Sequence, residues 1–374
     1  MFDGRMTDST TIFPRYRKIL EIGPIPPPYA GWGVRIDCVL DALRDRNIET
    51  AALDLGANRK VRREKCDHVP SGFAYARKVL HYLLRGYRIH AHLNGESAKA
   101  YVLVLYSTLL SWMFRRPAVL TWHGGLGYRW FPSSGNRLVD FVHRRIFRLS
   151  ETVICNDECV KRHIVAYGVP PQKVLCIPAF TRQYIAFETS PLPPEVARFL
   201  ERKDPVLFCY AYFRPEFYLP ELIEALRTLV DRWPNLGLLL VGFTADSEDI
   251  RQRVQAMGLG DHVLFAGDLE RAEFLTALSR ATLCVRTHQR DGISSSVLEA
   301  LALGIPVVAA ANPMRPPQVV TYQAEEPDDL VRAVTQVLAL PQADRIPERP
   351  PVNDTVEDEV RILIGEKPGQ VAVA

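Results

Sequence analysis

At 374 residues, 47% hydrophobic and 24% charged, the chain is too long for one ordinary domain and long enough for two of about 150 to 190 residues, each with its own core; the composition is that of a globular protein and argues against disorder. The longest apolar run, 100–114, is shorter than the ~18 to 20 residues that span a bilayer, so it reads as a packed or surface-lying helix. The net charge of +3 hides an asymmetry, with 28 Lys and Arg against 16 Asp and Glu in residues 1–190, and 18 against 27 in residues 191–374: a basic half suits an anionic partner, and a solvated basic surface explains it equally well.

In chain order, short β-branched runs alternate with helical periodicity, the pattern of parallel sheets with crossover helices. KILEIG (18–23) reads as the first strand, followed by Ile36, Val39, Leu40 and Leu43 on one helix face, and TAALDLG (50–56) as the second. RIHAHLN (88–94), AVLTWHG (118–124), TVICND (152–157) and VLCIPA (174–179) continue the series as strands. These elements define a first domain over residues 1–185. The prolines of SPLPPE break the alternation, and 186–204 is the expected linker and hinge. A second series then reads PVLFCYAY (205–212), GLLLVG (237–242), HVLFAG (262–267), TLCVRT (282–287) and PVVAAA (306–311), with helices near 219–232, 247–257, 271–280, 295–303 and 328–340. It makes a second domain over 205–345, and the tail 346–374 holds a short amphipathic segment near 353–365 that can form a last helix returning to the first domain.

The seven cysteines are odd in number and scattered, several in apolar strands, which argues against a disulfide framework and for a reducing cytoplasm. Cys155 and Cys159 are spaced C-x3-C without a second pair, so two ordinary thiols explain them better than a metal site. The first eighteen residues lack the order of a signal peptide.

Three places can carry chemistry. In GPIPPPYAGWGVRI (23–36), Gly31 and Gly33 stand where a helix begins, and free backbone N–H groups there favour an anion such as a diphosphate; a tight strand-to-helix turn needs glycine anyway. In TWHGGLG (121–127), His123 and Gly124 follow a strand, at the carboxyl end where open parallel sheets bind ligands. His123 can donate to a sugar hydroxyl or phosphate or act as a base; a capping or core histidine is the alternative. In TLCVRTHQRDGISSSVLEALALGIPVVAA (282–310), the loop Gly292, Ile293, Ser294, Ser295, Ser296 ends at a helix start, whose positive end suits a diphosphate. Asp291 lies before it and Glu299 one to two turns in, within reach of sugar and ribose hydroxyls. Ser296 to Glu299 also matches an S-x-x-E capping box, in which Glu299 would serve the backbone alone.

At these residues the sequence resembles the retaining glycosyltransferases of the GT4 group, with two acidic residues separated by seven, an alanine-rich helical turn and G-x-P-V-V-A: here D-G-I-S-S-S-V-L-E-A-L-A-L-G-I-P-V-V-A. The likeness extends over about residues 18–340. It implies an α/β GT-B fold, two Rossmann-like domains with parallel sheets facing a central cleft, donor bound mainly by the second domain and acceptor by the first. Glu299 would then hold the ribose, Asp291 the donor sugar, and the 292–296 backbone the sugar and diphosphate, with His123, Gly31 and Gly33 on the opposite wall. Two departures stand out. Asp291 replaces the usual glutamate, and the Arg and Lys expected after the first strand of the second domain become Arg214 and Phe217. A contact with the leaving diphosphate is worth about 1.5–3 kcal/mol, so Arg214, Arg286 or Arg290 has to replace the lysine; a structural ion pair is the competing use of Arg286.

The expectation is thus a retaining hexosyltransferase that takes a UDP- or GDP-sugar as donor substrate and requires no further cofactor. With no compact D-x-D at a strand end, leaving-group charge would fall to backbone amides, a helix dipole and arginines, without metal. The basic runs RKVRREK (59–65), Arg115-Arg116 and Arg144-Arg145 would suit peripheral contact with an anionic inner membrane face and a glycan or polyprenyl-linked glycan acceptor, as in polysaccharide biosynthesis. No aromatic-rich motif accompanies them, which argues against nucleic acid. A nucleotide-sugar epimerase of the same fold and a silent donor-binding subunit remain open; a nicotinamide dehydrogenase is disfavoured, since the first glycine loop has the wrong spacing and only Asp54 is offered as a ribose contact.

Overall fold

The structure is a computed structural model that describes residues 14–26, 31–56, 66–126, 130–132, 135–242, 247–289 and 294–366. The first half alternates strand and helix: β1 (Lys18–Gly23), α1 (Gly31–Asp45), β2 (Glu49–Asp54), α2 (Gly72–Leu84), β3 (Arg88–Leu93), α3 (Ala98–Met113), β4 (Val119–Trp122), α4 (Arg137–Leu149), β5 (Thr152–Cys155), α5 (Glu158–Ala166) and β6 (Val174–Cys176). The second half follows with α6 (Pro194–Arg202), β7 (Val206–Tyr210), α7 (Leu219–Arg232), β8 (Gly237–Val241), α8 (Glu248–Ala256), β9 (Val263–Gly267), α9 (Arg271–Ser279), β10 (Leu283–Arg286), α10 (Ser295–Ala302), β11 (Val307–Ala310), β12 (Val320–Tyr322), α11 (Pro327–Leu338) and α12 (Thr355–Ile364).

Two six-stranded sheets result, in the orders β2-β1-β3-β4-β5-β6 and β12-β11-β10-β7-β8-β9, with parallel pairing throughout. In each, the first strand has its successors on both sides, which opens a crevice at its carboxyl end where neighbouring loops diverge. This is the α/β GT-B architecture. Two elements were not expected: β12 has only three residues, too few to show a period, and α6 lies within the stretch 186–204 expected as a linker. Its Pro194 starts a helix whose Val196 and Phe199 pack on the second sheet, since proline is tolerated in a first helical turn.

The second sheet is covered by apolar side chains on both faces. Leu207, Leu238 and Leu240 meet α7 and α11 on one, and Phe208, Leu239 and Val241 meet α6, α9 and α10 on the other. In the first sheet, Leu20, Ile89, Leu120 and Val153 face α2 to α5, while α1 and α12 cover the opposite face through Val39, Leu43, Val356, Val360 and Leu363. The helix α12 begins at Asp354, whose side chain accepts from Glu357 N, and ends at Gly365, with φ of 82°; both are standard helix boundaries. Arg88 ties its end down by donating to the Ile362 and Leu363 carbonyls at 2.7 Å.

The long apolar helix α3 packs against α2 and α4. Its buried face is Tyr101, Val104, Ser107, Thr108 and Ser111, where Ser107 and Thr108 donate to carbonyls one turn back and Ser111 donates to the Arg116 carbonyl, while Val102, Trp112 and Met113 are exposed. No described helix is long and apolar enough to cross a membrane.

Candidate active site

A cleft of about 1110 Å³ of open space lies between the carboxyl ends of the two sheets. From the first domain it is lined by Gly31, Trp32, Asn94, His123 and Asn156, and from the second by Tyr210, Asp268, Arg271, Arg286, Ser294 to Ser296 and Glu299. Residues read from sequence as three separate loops thus meet across one space.

The second-domain wall is built on β10 and α10. The N-cap of α10 is Ser294, with no side-chain cap bond. Glu299 does not form a capping box: its Oε1 accepts instead from Arg271 at 2.7 Å. Arg271 also donates to the Tyr184 carbonyl at 2.5 Å, and Tyr184 donates to the Gly31 carbonyl at 2.9 Å. Burial opposes the charge of Arg271, but Glu299 holds its proton more firmly than usual. Arg286, at the end of β10, donates to the Tyr210 carbonyl at 2.9 Å and rests over the Phe217 ring at 5.3 Å. The aromatic residue at the expected lysine position therefore supports an arginine that faces the cleft, a stacking worth about 0.5–2 kcal/mol.

The other candidates separate clearly. Arg214 is exposed, lies over the Tyr212 ring at 5.6 Å and is not part of the cleft lining. Gly31 touches the opposite wall, since a Cβ there would lie 2.9 Å from Ser295 Oγ. Gly33 and Gly124 are glycines for packing: a Cβ would come within 3.3 Å of the Pro24 carbonyl oxygen in the first case and 2.4 Å of the Asn94 carbonyl oxygen in the second. Asp54 holds the turn of the first loop, its Oδ1 accepting from Ile25 N and Gly56 N. Arg290, Asp291, Gly292, Ile293 and the basic run 59–65 lie outside the described residues. All seven cysteines are free thiols, and Cys155 faces Cys176 across β5 and β6.

Behind His123 the first sheet holds a polar cluster that the motif reading missed. Glu21 on β1, His90 and His92 on β3, and Thr121 on β4 are buried on the face covered by α1 and α12. Glu21 Oε1 pairs with His90 Nδ1 and Oε2 with His92 Nε2, each at 2.9 Å. His92 Nδ1 meets His123 Nε2 at 2.8 Å. On the far side His90 Nε2 meets Thr121 Oγ1 at 2.8 Å; Thr121 reaches Glu359 Oε1 at 3.1 Å, and Arg35 closes the chain on Glu359 Oε2 at 2.6 Å. Ligand atoms of Glu21, His90 and His92 lie within 4.8 Å of one another, the one such group among the described residues. Their facing atoms are at hydrogen-bond separation, closer than the ~3.4 Å between two donors that each lie ~2.0–2.2 Å from one tetrahedral ion, so they pair with each other directly. Burial raises the Glu21 carboxyl to about 7 and lowers the His90 imidazole to about 4 and that of His123 well below its usual range. Polar residues inside three apolar strands, alternating along β3 as Arg88, His90 and His92, were the sequence signal for this cluster.

A two-domain α/β fold whose sheets meet at a polar, arginine-bearing cleft defines the GT-B class. Residues 196–349 match the family model for glycosyl transferases group 1, and residues 26–179 that for a glycosyl transferase 4-like domain; the chain belongs to the group 1, GT4-type glycosyltransferase family. Among curated relatives, a phosphatidyl-myo-inositol mannosyltransferase of Mycobacterium leprae is 30% identical over 118 residues, 31% of either chain, so the match spans about a third of that protein's length. Among solved structures, Anabaena Alr3699/HepE in complex with UDP and glucose superposes with a TM-score of 0.61 at 15% identity, over 93% of this chain and 95% of that one. Methanocaldococcus jannaschii UDP-GlcNAc 2-epimerase, in complex with UDP-GlcNAc and UDP, reaches 0.60 at 15% identity, over 92% and 99%.

Proposed function

We propose that this chain moves a hexose-type sugar from a UDP- or GDP-sugar to a hydroxyl of a glycan or lipid-linked glycan, with retention of configuration and without a resident metal. The observation that carries the reading is the convergence of Glu299, Arg271, Arg286 and the first turn of α10 on one cleft wall, facing His123 and Gly31 on the other. The amides of that first turn and Arg286 meet the diphosphate as its charge develops. Arg271 occupies Glu299 Oε1, leaving Oε2, which has no partner among the described residues, for the ribose hydroxyls. Asp291, Gly292 and Ile293 complete the sugar site as the family resemblance implies, and His123 approaches from the acceptor side.

The test is calorimetry with UDP-, GDP-, ADP- and TDP-sugars on the wild type and Glu299→Ala, followed by turnover with an acceptor and the anomeric configuration of the product. Saturable binding of one nucleotide class, weakened tenfold or more by Glu299→Ala, with a retained anomer, is expected. Interconversion of the free donor without acceptor would replace the reading with an epimerase, and binding without turnover would replace it with a silent subunit.

The lipid-linked acceptor is supported by the phosphatidyl-myo-inositol mannosyltransferase activity for which the mycobacterial relative is named and by the surface of α2 to α4, where Trp112, Met113, Leu138 and Phe141 are exposed and Arg145 lies over the Phe141 ring at 4.9 Å. Aromatic and cationic side chains side by side suit an anionic lipid interface.

A further inference from the structure

The buried chain behind His123 has a direction, and counting its protons shows which one. Glu359 is ionised: burial opposes its charge, but Arg35 and the histidines hold its carboxyl below the usual range, and both Arg35 Nε and Nη2 lie against Oε2. Its Oε1 takes the hydroxyl proton of Thr121. A hydroxyl has one proton, so Thr121 Oγ1 must accept from His90 Nε2–H, which also lies 3.3 Å from Glu359 Oε1. A neutral His90 then has a bare Nδ1, and its bond to Glu21 Oε1 needs the proton on the carboxyl. With both ring nitrogens of His90 protonated instead, Glu21 is a carboxylate. In either case Glu21 Oε2 accepts from His92 Nε2–H, His92 Nδ1 is bare, and it accepts from His123 Nε2–H. The remaining His123 nitrogen, Nδ1, has no hydrogen-bond partner among the described residues, and His123 lines the cleft. Counted this way, the network is electrically neutral, as its burial demands.

We propose that the Arg35–Glu359 ion pair, acting through Thr121, His90, Glu21 and His92, is a positioning device that fixes the Nε2–H tautomer of His123, so that His123 meets substrate through a bare Nδ1 and accepts a hydrogen bond from a hydroxyl group. This rests on the transferase reading of the cleft and sharpens it. A bare ring nitrogen repels a phosphate oxygen and attracts a sugar or acceptor O–H, so the partner of His123 is a hydroxyl, and the second wall alone handles the diphosphate. Glu359, near the carboxyl end of the chain, thereby sets the polarity of a hydrogen bond on the acceptor side of the cleft.

Nitrogen-15 NMR of histidine-labelled protein distinguishes the tautomers, with His123 assigned by its loss in His123→Gln. The wild type is expected to show His123 protonated at Nε2; a wild-type Nδ1–H tautomer overturns the proposal without any further variant. Two variants test the direction. In Glu21→Gln the amide can donate to His90 Nδ1 and accept from His92 Nε2, so the wild-type tautomer persists. In Glu21→Gln/Glu359→Gln the carbonyl oxygen of the new amide on α12 must face Arg35 and its NH2 group must face Thr121 and His90; every bond then reverses, and His123 switches to Nδ1–H. A double variant that keeps its circular dichroism and still shows Nε2–H would refute the device. Relative to Glu21→Gln, the double variant is also expected to lower kcat for transfer about tenfold at an unchanged donor Kd. If the wild type turns over no sugar nucleotide at all, the transferase reading fails while the tautomer result is still decided by the spectra.

Discussion

The two sheets have the same number of strands and the same parallel pairing, yet one face of the first is built differently. Along β7 and β8 the side chains toward either helical layer are apolar, and the second domain coheres by close packing of Leu, Val and Phe. Along β3 every second residue, Arg88, His90 and His92, is polar and points toward α1 and α12, and all three are buried. Hydrophobic contacts are tolerant of detail and favour no particular partner atom, whereas buried polar groups require theirs, at a cost when one is missing. The second domain is therefore a scaffold that presents a helix N-terminus and two arginines at its rim. The first domain carries its cleft residue on a wired interior, and the wire ends on a helix supplied by the far end of the chain.

The largest effect expected from this contrast is that of Glu359→Ala. It leaves Arg35 buried, about 1% exposed, without its carboxylate, at a cost of about 3–5 kcal/mol. Replacing both partners by Arg35→Met with Glu359→Leu is expected to recover most of that loss in urea unfolding, because the penalty belongs to the uncompensated charge. Equal losses in the single and double variants would remove the distinction between the two domains. Leu240→Ala, in the middle of the second sheet, is expected to cost about 2–5 kcal/mol with no dependence on pH between 5 and 8.

Glu21 supplies the pH dependence that Leu240 lacks. Its carboxyl rises from the ordinary 4.5 to about 7, so the folded state holds a proton that the unfolded state has released. The stability from the neutral carboxyl is present below pH 4.5 and is lost as pH rises to about 7, amounting to about 3 kcal/mol. The groups facing it are His90 and His92 on β3, Glu359 on α12 and Arg35 on α1. His90, lowered from 6.5 to about 4, acts in the opposite sense, its stability being present above pH 6.5 and lost as pH falls to 4. The difference between wild type and Glu21→Gln isolates the carboxylate: the glutamine variant should gain relative stability from pH 5 to pH 8, measured by urea titration at each pH. A difference that stays flat across that range would show that Glu21 keeps its ordinary titration.

The smallest expected effect lies on the surface. If the basic, aromatic face of the first domain meets an anionic membrane, Arg144→Ala and Arg145→Ala should each weaken binding to phosphatidylserine-containing vesicles by about 1 kcal/mol, roughly fivefold in a sedimentation assay. Matched substitutions of Arg227 and Arg253, exposed on the second domain, should leave vesicle binding unchanged.

Much of the fold is legible in the sequence, because strand and helix periods are local properties of the chain. Every described strand except β12 sits where β-branched and apolar runs placed it, among them the KILEIG, RIHAHLN and GLLLV segments, and α1, α7 and α10 follow the spacing of Ile36, Val39, Leu40 and Leu43 or of the S-S-S-V-L-E start. The exceptions had weak local signals: β12 is three residues long, and α6 was obscured by the prolines that begin it. At the site, a glycine in a turn reads the same whether it admits a ligand or a neighbouring carbonyl. Only the tertiary structure separates Gly31, which approaches Ser295, from Gly124, which makes room for Asn94. Glu299 likewise matches a capping box and a ligand contact equally well in sequence, and the fold replaces the box with Arg271 on its carboxylate.

The sequence by itself determined the elements, their alternation into two α/β units and the three loops that can carry chemistry, since these follow from the spacing of apolar residues and the placement of glycine and serine within short windows. The tertiary structure alone decided which buried polar residues share protons. Glu21, His90, Thr121 and Glu359 come together across β1, β3, β4 and α12, from opposite ends of the chain. Each is unremarkable in its own segment, and a hydrogen bond depends on distance and direction in space, which no local period encodes.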